Sequence, residues 1–266
     1  VLYFAGGFGT QESPYMIATV EQLRNISKLS STTGKYFELK NDLSVFDVES
    51  QVIVTSKAFS GVFDGAGYEI YGTSFAYLFE RLYNATVKNL DVRYACEVAG
   101  LAGMIANYVD NSTFDNVDCY GVLNYTADGR NQSPYMWTPY FRSSNITFIN
   151  CDNYANINAT EYNSAFVGYA ADCTGTITLT DCANYGNIVG KWASVILANT
   201  SRANVTFALE NVINYGKVYG TEKANLVAPD GYDDVTGEII NNEDSSKGSI
   251  GECKLLEPLN GFAVSL

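Results

Sequence analysis

Apolar and polar positions recur along the chain in fixed columns. The segments FDNVDCYGVL (114–123), FINCDNYANI (148–157), LTDCANYGNI (179–188) and LENVINYGKV (209–218) align without gaps. One column holds Val117, Cys151, Cys182 and Val212; a second holds Tyr120, Tyr154, Tyr185 and Tyr215. Two more follow, Gly121, Ala155, Gly186 and Gly216, then Leu123, Ile157, Ile188 and Val218. The steps between segments are about 34, 31 and 30 residues, a period that marks a solenoid.

A second run keeps the same steps: GLAGMIA (100–106), PYMWTPY (134–140), SAFVGYA (164–170), ASVILAN (193–199) and ANLVAPD (224–230), aligned on Gly103, Trp137, Gly168, Ala198 and Ala228. Neither run has the i, i+3, i+4 spacing of a helix, and stretches such as TITLTDC (176–182) alternate with period two. Short strands separated by Gly, Asn and Asp turns are therefore predicted. One such repeat cannot bury its own apolar face, so the coils must stack, at about 4.8 Å per coil. The expected fold is all-β, a right-handed parallel β-helix of roughly 30-residue coils. Stacking makes Asn153, Asn184 and Asn214 a ladder at a corner, where amides bond the coils above and below and accept left-handed backbone. Tyr120, Tyr154, Tyr185 and Tyr215 become a stack, and Cys151 and Cys182 come close enough either to bridge or to remain a free inward pair.

Residues before about 95 do not show this period and read as a cap with the first coils (1–95), followed by regular coils (96–240) and a C-terminal cap or tail (241–266). TVEQLRNISKL (19–29) predicts a capping helix, with Thr19 as N-cap, Gln22 three residues on, and Val20, Leu23, Ile26 and Leu29 at helical spacing. The apolar, glycine-containing ends VLYFAGGFG (1–9) and LLEPLNGFAVSL (255–266) are expected to offer open strand edges to a neighbouring molecule.

Composition narrows the setting. The 266 residues are 47% apolar, enough for one sizeable core, but only 17% charged, with a formal net charge of −13. Sixteen scattered Lys and Arg cannot cluster on phosphates, so nucleic acid is excluded as a partner. No apolar run is long enough to insert in a bilayer. Nine Asn-x-Ser/Thr acceptors occur, at Asn25, Asn84, Asn111, Asn124, Asn131, Asn145, Asn158, Asn199 and Asn204; Asn131 is the weakest, since Pro134 follows its Ser133. The other eight predict a glycoprotein of the secretory route, extracellular or on a cell surface, with N-linked glycans and other copies of itself or surface proteins as partners.

GTQESPYMIATVEQLRNIS (9–27), YFELKNDL (36–43), FSGVFDGAGYEIYG (59–72) and the later LTDCANYGNIVG (179–190) resemble the repeats of GLUG-type proteins. These are surface adhesins and the β-helical regions of IgA-protease-like proteins, and the resemblance implies a β-helix in a cell-surface protein. It departs in lacking the second glycine in coils such as SAFVGYA, and in its sequon load.

With no histidine, the commonest general base and metal ligand is absent and triads are impossible. No cofactor or metal is expected. Carboxylate pairs remain: Asp115 with Asp118, Asp152 with Asp181, and Asp233 with Asp234 would be the acids of a β-helix polysaccharide lyase or glycosidase. Asp118 and Asp152 share one column and read as a solvated stripe. The reading that fits all of this is a non-catalytic scaffold, an adhesin or a subunit of a surface filament or coat, with the polysaccharide-active enzyme as the alternative.

Overall fold

The computed structural model describes residues 3–45, 57–73, 77–94, 104–125, 131–139, 144–170, 173–199, 204–229 and 235–242. The chain coils into a parallel β-solenoid. Along its first face nine strands or strand segments stack in chain order, each hydrogen-bonded to the next coil's equivalent: Tyr15–Ile17, Tyr36–Leu39, Val62–Thr73, Thr86–Tyr94, Ser112–Tyr125, Ile146–Ile149, Thr174–Thr180, Asn204–Glu210 and Val235–Thr236. A second face is built by the end of Ser112–Tyr125 with Asn156–Ala159, Ile188–Ser194 and Val218–Asn225. A third is built by Tyr77–Tyr83, Met104–Asp110 and Met136–Pro139, continued by single bridges at Val167 and Leu197.

Alternation within each strand sends every second side chain inward. Phe37, Phe63, Val87, Phe114, Phe148 and Leu179 therefore form one fully buried column, with Phe114 and Phe148 stacked at 5.1 Å. The described residues before 95 coil as well. Thr86 lies on Thr113 and Asn89 on Asn116, with steps of 22 to 27 residues instead of about 30. The third face also shifts the aligned register: Met136 pairs with Ala106, so Gly103, which lies outside the described residues, is not Trp137's partner position. Tyr135 and Met136 of the aromatic cluster are wholly buried.

The helix is shorter than expected, Val20–Asn25 followed by one 3₁₀ turn, Ile26–Lys28. Its start is the predicted capping box: Gln22 N donates to Thr19 Oγ1 and Thr19 N to Gln22 Oε1, each at 3.2 Å. The N-terminal edge is not open. Ala5 N donates to Met16 O and Met16 N to Gly6 O in an antiparallel bridge, which covers the outer side of the first strand. Phe4 sits in the core against Tyr15 and Phe37, while Phe8 is 78% exposed.

Candidate functional site

The second corner of the solenoid gathers the residues picked out by the NYG repeat. Asn153, Asn184 and Asn214 are fully buried and in register with Cys119 above and Asn241 below. Each Nδ2 donates twice. One bond goes to the backbone carbonyl two residues on (Ala155, Gly186, Gly216; 2.8–3.0 Å), and one to Oδ1 of the next coil's asparagine (Asn184, Asn214, Asn241; 2.7–2.8 Å). The column above holds Leu43, Ile70, Val92 and Cys119, so an apolar seam becomes an amide line halfway down the axis.

Left-handed backbone was expected at this ladder and is not there. It occurs three residues earlier, at Asn116 (φ 55°), Asn150 (49°), Asp181 (53°) and Asn211 (52°), with Asn89 (49°) one coil higher. Asn and Asp tolerate this region because their short side chains bond locally. Asn116 Nδ2 reaches Asn89 Oδ1 at 3.0 Å and Asn211 Nδ2 reaches Asp181 Oδ1 at 2.8 Å. The ladder asparagines sit inside because the amide line itself satisfies them.

Four tyrosines stack beside the ladder, and the hydroxyls of two of them, Tyr120 and Tyr154, donate to Asp118 and Asp152. Tyr120, Tyr154, Tyr185 and Tyr215 stack at 4.7–4.8 Å with interplanar angles of 2–11°. Arg93, held by Glu69 at 2.5 Å, lies 4.9 Å above the Tyr120 ring. Ring faces within the stack are thus occupied by neighbouring rings, and the one beneath Arg93 by a guanidinium. The following glycine is forced by the same close approach: a Cβ on Gly186 would stand 1.9 Å from Ala155 O, and one on Gly216 1.9 Å from Gly186 O.

Asp91, Asp118 and Asp152 form one column beside these rings. They are half-buried, not a solvated stripe. Asp118 Oδ1 accepts Asp152 N and Asp152 Oδ1 accepts Ala183 N, both at 2.9 Å, so each carboxylate staples its coil to the next. Burial, with Asp152 and Asp91 nearby, pushes Asp118 up to about 6, against the lowering pull of the Asp152 amide. Burial also raises Asp152 and Asp91. The pairs nominated from sequence are not the ones brought together. Asp115 precedes the left-handed corner and Asp118 follows it, and Asp181 is itself a corner residue engaged by Asn211. Asp233 and Asp234 lie outside the described residues.

Cys151 and Cys182 are both free and buried, the second of the two alternatives left open by the sequence. Cys151 Sγ donates toward Ile149 O and Cys182 Sγ toward Thr180 O, each at 3.3 Å, and burial drives the Cys151 thiol well above its ordinary range. Among the described residues no three His, Cys, Asp or Glu stand close enough to hold a metal, and no helix is long and apolar enough to cross a membrane.

Asn25 is a poor glycan acceptor, also a correction: it is 6% exposed and its Nδ2 donates to Tyr3 O at 2.8 Å. Asn84, Asn111, Asn145, Asn158 and Asn204 are exposed, Asn124 and Asn199 half-buried. Sequence reasoning missed Asp91 as the third acid and missed the stack of Tyr162 on Trp192 (4.3 Å), where Lys191 lies 4.2 Å from the indole.

These features define a parallel β-solenoid protein whose periodic polar side chains bind coil to coil. No protein-family model matches the chain, and no curated protein matches it. Among solved structures it is similar to a Bacteroides ovatus protein provisionally named immunoglobulin A1 protease, at 16% identity and a TM-score of 0.45, over 85% of this chain and 87% of that one. At that distance the likeness carries nothing about activity.

Proposed function

We propose that the chain is a non-catalytic extracellular scaffold, a GLUG-like β-helix glycoprotein serving as an adhesin or as a subunit of a surface filament or coat. The observation that carries this reading is the use made of the polar columns. The acids accept backbone N–H groups of the next coil, and the tyrosines spend their faces on each other. Side chains that a polysaccharide-active β-helix would aim at substrate are here structural ties. A rod of this kind presents a long, glycosylated, acidic surface suited to holding partners at a distance from the cell.

Beads coated with the secreted protein should adhere to host cells or matrix glycans while the soluble protein leaves those glycans uncut. The reading fails if a panel of acidic and neutral glycans, with and without Ca²⁺, gives new reducing ends or unsaturated products. One observation favours the enzyme alternative. Asp118, pushed up to about 6 beside Asp152, has the protonation behaviour of a general acid. Turnover abolished by Asp118→Asn would establish that alternative.

A further inference from the structure

The sequons are partly a product of the coil. Register places Asn84, Asn111 and Asn145 in one column on three successive coils, each opening Asn-x-Thr. The middle residue, Ala85, Ser112 or Ile146, points inward and is at most 3% exposed, while Asn and Thr share the outer face. The turn that opens each strand thus sets an acceptor amide and its +2 hydroxyl on one side, but the three amides are not equivalent. Asn111 Oδ1 accepts Asn145 N and Asn145 Oδ1 accepts Thr176 N, both at 3.0 Å, which fixes those amides along the axis. Asn84, exposed at φ 50° in the turn between Tyr77–Tyr83 and Thr86–Tyr94 as Asn111 is at φ 43° one coil on, differs in that its side chain makes no hydrogen bond to a described residue.

Asn84 also stands on the rim of a cleft of about 390 Å³ lined by Gly34, Tyr36, Gly61, Tyr83 and Thr86. That volume is in the range of small-molecule clefts, about 300–1,000 Å³. Tyr83 keeps 37% of its surface exposed and is braced by Arg81, 5.9 Å from its ring, so an aromatic surface is available where a pyranose can pack.

Resting on the glycoprotein reading, we infer that Asn84 is the column's glycan acceptor and that the cleft beside it seats the first saccharide of its own glycan. In the transfer, Asn84 Nδ2 displaces the lipid pyrophosphate from the anomeric carbon of a lipid-linked oligosaccharide. The N–C bond forms, the C–O bond to pyrophosphate breaks, and one Nδ2 proton passes to the transferase. Asn111 and Asn145, one coil apart at about 4.8 Å, would crowd any second glycan against its neighbour.

The full chain, secreted from a eukaryotic host, is mapped by glycopeptide mass spectrometry and by hydroxyl-radical footprinting. Expected is occupancy at Asn84 severalfold above Asn111 and Asn145. Labelling of Tyr83 should fall severalfold relative to Asn84→Gln, with Tyr219 as an exposed control. Thr86→Ala, which removes the sequon but keeps Asn84, must reproduce the Asn84→Gln footprint. Sugars on other asparagines with Asn84 bare overturn the inference and leave the glycoprotein reading standing. So does an occupied Asn84 with Tyr83 labelled as in the variants. A chain with no glycan at any site overturns both.

Discussion

Asn153 donates its side-chain amide to Asn184 Oδ1 across 2.8 Å, in a place where neither residue has any exposed surface. Removing Asn184 leaves Asn153 Nδ2 short of an acceptor, Asn214 Oδ1 without its donor, and Gly186 O without its partner. A buried polar group stripped of its bond costs about 1–3 kcal/mol, so Asn184→Ala should destabilise by roughly 2–5 kcal/mol in urea unfolding. Exposed Asn158→Ala, by contrast, should stay within about 0.5 kcal/mol.

Gly186 and Gly34 separate two roles of glycine. A methyl group at Gly186 meets the Ala155 carbonyl at 1.9 Å, whereas at Gly34 it meets nothing within 4 Å, and only the φ of +68° resists it. Gly186→Ala should abolish soluble folded protein or cost more than about 3 kcal/mol, and Gly34→Ala about 1 kcal/mol, read as midpoint shifts by circular dichroism.

The N-terminal cover predicts another contrast. Phe4→Ala removes a core ring and should cost about 3–5 kcal/mol, while Phe8→Ala, 78% exposed, should be silent in thermal melts. Deleting residues 1–8 should lower the melting temperature and expose the edge of Tyr15–Ile17, seen as new self-association by light scattering.

Stability should rise on mild acidification. Asp118 is raised in the folded state to about 6, above its unfolded value, so the fold binds the proton more tightly. The penalty for its charge is present above pH 6 and is relieved as the pH falls toward about 4. Because Asp118 is only half-buried, screening by solvent holds the gain to about 1 kcal/mol. Asp118→Asn keeps an acceptor for Asp152 N and should raise the melting temperature at pH 7 by roughly 2–4 °C, flattening the profile between pH 4 and 6.

The NYG repeat was legible because three stacking constraints act on three adjacent residues: a buried amide line, a ring stack and a backbone approach that excludes Cβ. The period of the earlier coils was hidden for the complementary reason. Leu43, Ile70 and Val92 occupy the ladder position there, and the steps are shorter, so the NYG letters do not recur. The left-handed column was present in the aligned segments as Asn116, Asn150, Asp181 and Asn211, yet its geometry was assigned to the wrong asparagines. Composition cannot say which of two amide columns faces inward. Burial of Asn25 depends on Tyr3, 22 residues away, and no local pattern carries it.

Coil steps run from 22 to 34 residues, yet strand stays paired on strand, with register shifts at Asp64/Tyr68, Tyr71/Thr73 and Gly190/Trp192 among the described residues. Extra chain can be absorbed sideways, as where residues 65–67 bulge opposite Asn89, without separating the coils. Insertions at such places are mechanically silent along the axis, so the flanks can diversify what the rod displays while its length and stiffness stay constant.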